Sequence, residues 1–115
     1  MEVVDIKGAV SNQIIKCIIY TPILSVGIEK LLEIEEEKRK DGIYPTAKYF
    51  GKNRTEIIFD DEEEWIILNP NDGARGYRWR KAWVDIKNVT TFQINVIIKP
   101  CGNLYKWEDL KYFNH

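Results

Sequence analysis

One long helical pattern, set between runs of β-branched residues, constrains the fold of this chain more than any other feature. Its apolar residues recur at helical spacing, opposite a charged side: Leu24, Ile28, Leu31 and Leu32. Thr21-Pro22 or Ser25 can begin this helix, and Asp41-Gly42 can end it. The sequence therefore predicts one long N-terminal helix.

Several segments outside that helix have the composition or the alternation of strands. They are residues 13–19, 56–59, 65–68, 82–86 and 92–98, with residues 3–7 as a further candidate. We therefore expect an α+β fold, in which the long N-terminal helix packs on a mainly antiparallel sheet of about five to six strands. A length of 115 residues fits a single domain over residues 1–115.

The balance of charges argues against a general attraction to polyanions. The 17 basic and 18 acidic residues give a net charge of −1, so any anion site must be local. The sequence contains neither a secretion signal nor an apolar run of membrane-spanning length. We expect a cytoplasmic protein, in the host cell cytoplasm if a phage encodes it, with no membrane contact.

Residues suited to catalysis or metal binding are scarce. The only histidine is His115, and Cys17 and Cys101 stand far apart without further ligands at metal-binding spacing. We expect both thiols to be buried or incidental, without a disulfide. The chain is therefore predicted to be a non-enzyme with no metal and no cofactor, unless the fold brings together a carboxylate pair, Asp85 with Glu56 or with Asp109.

Residues 60–64 form a run of five acids between two predicted strands. A divalent-metal site is one interpretation. A solvated hairpin connection is the other, and we favour it because acids adjacent in sequence rarely converge on one ion without a dedicated loop.

The segment most suggestive of a binding function is rich in arginine and aromatic residues. Three of the five arginines lie within it, interleaved with two rings: Arg75, Tyr77, Arg78, Trp79 and Arg80. If the segment is extended, Arg78 and Arg80 share one side and lie ~7 Å apart, while the rings point the other way. This pattern predicts arginines that bind phosphate and a ring that stacks on a base.

Three further residues complete the predicted ligand-binding set. Asp85 could accept a hydrogen bond from a ribose or a base edge, and Arg54 and Thr55 offer a second contact at the start of another strand. The structural alternative is that Trp79 and Trp83 belong to the core, with the arginines on a solvated edge paired with the acidic run.

The order of motifs from Phe59 to Pro100 resembles the region around the Walker B strand in the ATPase domain of phage large terminases. It comprises Phe59-Asp60-Asp61, Ile66-Ile67-Leu68, Arg75-Gly76-Tyr77-Arg78, Ala82-Trp83-Val84-Asp85 and Val96-Ile97-Ile98-Lys99-Pro100. Where such ATPases carry Asp-Glu, this chain has Asp85-Ile86, and no Gly-Lys-Ser/Thr motif occurs. The resemblance implies a phage setting and a scaffold that can bind a nucleotide without hydrolysing it.

Together these features predict a non-enzymatic, phage-type binding protein that captures a phosphate-bearing ligand. A nucleotide or cyclic-nucleotide immune signal of the host is the most concrete ligand, which would make the protein a counter-defence factor. One alternative is an inhibitor of a host protein, or a virion assembly factor, with an interface hot spot at Tyr77, Trp79, Arg80 and Trp83. Another is a nucleic-acid-binding accessory protein.

The aromatic tail at residues 104–113 has two interpretations. It closes the core as a last short element, or it forms a self-association surface. Because small sheets also expose pairing edges, we expect a homo-oligomer.

Overall fold

The computed structural model describes residues 14–52 and 54–102. Five strands form one sheet: β1 (Ile15–Tyr20), β2 (Pro45–Phe50), β3 (Thr55–Phe59), β4 (Glu63–Leu68) and β5 (Lys81–Val84). The strand order is β2-β3-β4-β1-β5. The α+β class and a sheet of five strands are confirmed, whereas the candidate strand at residues 3–7 and the tail lie outside the described residues.

The sheet is mixed, and the expectation of a mainly antiparallel sheet is therefore wrong. β1 pairs in parallel with both β4 and β5, while β3 pairs antiparallel with β2 and β4. Parallel neighbours require a long connection. Here residues 21–62 separate β1 from β4 in the sequence. The periodicity within each strand does not show that two strands so far apart in sequence are neighbours in the sheet.

The long helix, α1 (Leu24–Lys40), confirms the helical pattern of the sequence. It ends where Gly42 adopts a φ of +79°, a conformation that glycine accepts without strain. Leu31 and Ile34 of α1 are buried against Cys17 and Ile19 of β1, so α1 covers one face of the sheet.

The other face of the sheet is covered by the connection after β4 and by the chain after β5. A 3₁₀ helix (Asp72–Gly76) follows β4, and the last described segment contains α2 (Thr91–Gln93), a π-helix (Ile94–Ile98) and α3 (Lys99–Cys101). Ile18 and Tyr20 of β1 pack there against Ala74, Ile97 and Ile98. None of the helices within residues 14–52 and 54–102 is long and apolar enough to cross a membrane.

The predicted strand at residues 92–98 is instead helical. Thr90 and Gln93 form a reciprocal capping box: the Thr90 hydroxyl accepts from the Gln93 N–H at 3.0 Å, and the Gln93 side chain accepts from the Thr90 N–H at 2.9 Å. This arrangement satisfies backbone donors that a starting helix leaves unpaired. Adjacent Ile97 and Ile98 are both buried, whereas a half-buried strand would bury alternate residues.

β2 was not predicted, although it contains three residues that are common in strands, Thr46, Tyr49 and Phe50. It lies at the edge of the sheet, and none of its residues is fully buried. An edge strand receives little burial on either face, so its sequence need not alternate. The four other strands correspond to predicted segments, with ends shifted by one or two residues.

Candidate functional site

A crevice opens where β1 and β4 end. These strands are parallel neighbours, and the Thr21 N–H donates to the Leu68 carbonyl at 3.0 Å as both leave the sheet. After β1 the chain continues into α1 on one face, and after β4 it continues into the 3₁₀ helix on the other. Connections that diverge from adjacent parallel strands leave a crevice at the carboxyl ends, where α/β sheets bind ligands.

The crevice has a volume of about 450 Å³, within the range of small-molecule sites. Its lining combines cations, hydroxyls, amides and one ring: Thr21, Pro22, Leu24, Lys52, Arg54, Thr55, Ile67, Leu68, Asn69, Asn71, Gly73, Ala74 and Tyr77. The charged residues in this described lining are Lys52 and Arg54, and the lining includes no acidic residue. Because Arg54 is paired with the carboxylate of Glu56, Lys52 supplies most of the net positive charge that the lining offers to an anion.

The start of α1 adds to this positive character. Leu24, its first residue, lines the crevice, and no acidic residue occupies the first turn. The first N–H groups of a helix carry the positive end of the helix dipole. In α1 the Val26 and Gly27 N–H groups donate to the Ile23 carbonyl at 3.1 and 3.2 Å, so the candidate backbone donors for an anion are those of Leu24 and Ser25.

Arg54 is held in place by two neighbours. Its Nε lies 2.9 Å from Oε1 of Glu56, and its Nη2 lies 3.4 Å from Oε2 of the same carboxylate. Its guanidinium carbon lies 4.2 Å from the centroid of the Tyr49 ring, within cation–π range. Arg54 and Thr55 both line the crevice, and these two contacts restrain the orientation of Arg54; that the two residues contact a ligand stays a prediction.

Asp85 has a different position from the one expected. Its carboxylate is buried and accepts from the Thr21 hydroxyl at 2.9 Å and from the Asn88 side chain at 2.8 Å. Thr21 in turn accepts from the Ile23 N–H at 3.1 Å. Through these hydrogen bonds Asp85 links the end of β5 to the segment that leads into α1. Because Asp85 does not line the crevice, it is not positioned to accept a hydrogen bond from a ribose or a base. Nor does it pair with Glu56, which contacts Arg54.

The arginines of residues 75–80 also lie outside the crevice lining. Arg75 pairs with Asp72 at 3.3 Å, Arg78 donates to the Pro100 carbonyl at 3.2 Å, and Arg80 is exposed. These residues precede β5, which begins at Lys81, and the Arg80 N–H donates to the Lys16 carbonyl of β1 at 2.8 Å. Because all three arginines lie outside the lining, the segment does not place a row of arginines in the crevice.

The two rings of that segment have opposite environments. Tyr77 is 45% exposed and lines the crevice, whereas Trp79 is 2% exposed. The Trp79 indole N–H donates to the Ile98 carbonyl at 2.9 Å, and a Cβ placed on Gly102 would lie only 2.2 Å from the ring. Trp79 is therefore a core residue, and the prediction that it stacks on a base is wrong; Tyr77 remains available for stacking.

The burial of Trp79 also affects the predicted protein-interaction hot spot. Trp83 is half-buried beneath Lys30, whose ammonium lies 5.2 Å from the ring centroid. Of the four hot-spot residues, Tyr77 and Arg80 are exposed and Trp79 is not. A hot spot needs its aromatic anchors at the surface, so these four do not form one exposed cluster.

The acidic run is only partly a solvated connection. Asp60, Asp61 and Glu62 form the turn, but Glu63 and Glu64 belong to β4. Glu63 is buried, pairs with Lys38 at 2.8 Å and with Lys81, and accepts from the Trp65 indole N–H at 2.9 Å. The run therefore supplies a buried ion-pair cluster at the end of β4 opposite the crevice.

The pKa values of this cluster reflect its close contacts. Burial alone would raise the pKa of Glu63, but hydrogen bonds from Lys38, Lys81 and Trp65 outweigh it and hold the pKa below its usual value. Burial alone would lower the pKa of Lys38, but its bonds to Asp61 and Glu63 outweigh that effect and raise it. The cluster is therefore charged at neutral pH.

No metal site accompanies these charges within residues 14–52 and 54–102, where no three His, Cys, Asp or Glu side chains are grouped to hold an ion. Cys17 and Cys101 are both buried and free. Burial raises the pKa of the Cys17 thiol, and the nearby Glu63 carboxylate raises it further, so Cys17 is a poor nucleophile.

Sequence reasoning did not identify Lys52, Tyr49 or Thr21 as parts of this site. Lys52 and Arg54 lie between β2 and β3, so recognising β2 as a strand would have placed both cations in one turn.

Comparison with known proteins adds no relative: no protein-family model, curated protein or solved structure matches this chain.

Proposed function

We propose that this protein binds a phosphate-bearing small molecule, most specifically a nucleotide, in the crevice at the carboxyl ends of β1 and β4. The observation that carries the proposal is the lining itself. Lys52 and Arg54 are its charged side chains, the start of α1 lies beside them, and Tyr77 offers a half-exposed ring. Phosphate requires the donors, and a base can stack on the ring.

The donors and acceptors of the crevice favour binding without turnover. Thr21 already donates to Asp85, and Asp85 and Glu56 are buried carboxylates that accept from other side chains. Neither carboxylate is positioned as a general base for a ligand in the crevice. Asn71 uses its side-chain oxygen for the Gly73 N–H at 3.0 Å, which leaves its amide N–H groups to donate.

The biological form of the proposal is sequestration. A phage-type protein that holds a nucleotide or cyclic-nucleotide immune signal of the host would lower its free concentration without changing it chemically. Tight binding and slow release would suffice for this role. Such a protein would act in the cytoplasm as a counter-defence factor and would return its ligand intact after denaturation.

Thermal melting against a panel of ligands tests the proposal. The panel contains nucleoside mono-, di- and triphosphates, ADP-ribose and cyclic dinucleotides. A ligand present at 100 times its dissociation constant stabilises the folded state by ~2.7 kcal/mol. For a chain of this length that corresponds to a rise in melting temperature of about 10 °C.

Two matched pairs of variants locate the binding. Lys52→Gln should weaken binding about tenfold through the loss of one charge-assisted contact, whereas Lys87→Gln, at an exposed lysine outside the crevice, should not. Tyr77→Ala should weaken binding, and Tyr44→Ala, at a tyrosine of similar exposure elsewhere, should not. Equal losses within either pair would place the ligand outside the crevice, and a panel without any shift would refute nucleotide binding.

A further inference from the structure

The guanidinium of Arg54 is oriented by a motif that follows from strand geometry. Arg54 directly precedes β3 and Glu56 is the second residue of that strand; being two residues apart in extended chain, they direct their side chains to the same face, where they pair. Tyr49 of β2 is the direct cross-strand partner of Glu56 and therefore shares that face. The three side chains meet there, with Arg54 between the carboxylate and the ring.

Glu56 uses one particular edge of the guanidinium. Its two oxygens face Nε and Nη2, at 2.9 and 3.4 Å, which is the side-on edge of the group. Tyr49 takes one flat face. A guanidinium has five N–H donors in a rigid plane, so Glu56 and Tyr49 leave the end-on edge, with one N–H from each terminal nitrogen, as a parallel fork as far as the described residues are concerned.

Burial differs among the three residues in a way that suits a binding role. Glu56 is 5% exposed, and a buried carboxylate keeps its cation close because separation would leave an unpaired charge. Arg54, by contrast, is 54% exposed and lines the crevice. The buried partner therefore fixes the arginine, while about half of the arginine side chain is exposed to solvent at the crevice.

We propose that the end-on edge of Arg54 binds the terminal phosphate monoester of the crevice ligand through two parallel hydrogen bonds, with Glu56 and Tyr49 as positioning residues. This rests on the proposed function and narrows it to nucleotides with a free terminal phosphate. A terminal phosphate has three unesterified oxygens, enough for the fork and for a further contact with Lys52 or the start of α1. A cyclic phosphodiester has only two and carries less charge.

Calorimetric titration tests the proposal with AMP and GMP, each compared with its phosphate methyl ester. The wild-type protein should prefer the monoester at least tenfold. Arg54→Lys retains the positive charge but loses the fork, so its affinity for AMP and GMP should fall at least tenfold. Tyr49→Leu should lower this affinity in the same direction, because the ring face that orients Arg54 is lost, whereas Tyr49→Phe keeps a ring and should retain the affinity.

The variants are informative because Tyr49 is exposed and its replacement leaves the core untouched; unchanged unliganded melting temperatures will verify their folding. An Arg54→Lys protein that keeps the wild-type affinity for AMP and GMP would overturn the proposal, since a point charge would then suffice. If cyclic dinucleotides bind while neither monophosphate does, this inference fails and nucleotide binding stands. If no nucleotide binds, both fail.

Discussion

Glu63 offers the sharpest test of how charges are arranged in this fold. Its side chain is 5% exposed and contacts two lysines, of which Lys38 is 8% and Lys81 27% exposed. In Glu63→Gln the neutral amide cannot balance these cations, and its N–H groups would face ammonium donors. Removing one partner of a buried ion pair costs about 3–5 kcal/mol. We expect the lower value, about 3 kcal/mol, because Asp61 still pairs with Lys38 and Lys81 can turn towards water.

The neighbouring residue provides the control. Glu64→Gln makes the same chemical change one position along the same acidic run, but Glu64 pairs with Lys16, whose side chain is 55% exposed. Exposed pairs contribute less than about 1 kcal/mol. Urea denaturation of both variants measures the free energy of unfolding. Equal losses, or a loss below about 1 kcal/mol for Glu63→Gln, would refute the buried cluster.

The stability that Glu63 contributes should depend on pH. Because the folded state lowers the pKa of Glu63, its contribution is present above the unfolded pKa and is lost as the pH falls through the folded value. Because the folded state raises the pKa of Lys38, its contribution is present below the unfolded pKa and is lost as the pH rises through the folded value. Between about pH 5 and pH 10 the difference between wild type and Glu63→Gln should be constant, and it should shrink in acid.

Two further substitutions test the packing around the crevice. Gly27→Ala should destabilise the protein by about 1–3 kcal/mol despite the better helix propensity of alanine, because the new Cβ would lie 2.6 Å from Cγ2 of Ile67 in β4. A more stable variant in urea denaturation would contradict the close approach of α1 to β4. Trp79→Ala should cost about 3–5 kcal/mol by leaving a cavity, whereas Tyr77→Ala should stay within about 0.5 kcal/mol of wild type. Similar losses for the two aromatics would show that the assignment of core and surface is wrong.

The fold could be predicted from the sequence where local signals agree with burial. The apolar period of α1 and its glycine stop, and the β-branched runs of β1 and β3, report burial directly. Residues 92–98 have strand-like alternation, but the Thr90 and Gln93 capping box favours a helix that covers the sheet. Strand pairing is harder still to predict from the sequence, because no local pattern indicates that β4 lies beside β1.

The same limit applies to the candidate site. Arg54, Thr55 and Tyr77 were recognised from residue type and lie in the crevice lining. The arginine cluster at residues 75–80 was the more conspicuous signal, yet its members lie outside that lining. Which cations surround a crevice depends on where strands end in space, and that depends on long-range pairing between β1 and β4.

The most direct test of nucleotide binding in the crevice is a crystal structure of the protein soaked in a mixture of adenine and guanine nucleotides. We predict electron density between the end of β1 and the end of β4, with a phosphate within hydrogen-bond distance of Arg54 or Lys52 and a base against Tyr77. A nucleotide bound elsewhere, or an accessible crevice left empty at saturating concentration, would contradict this assignment.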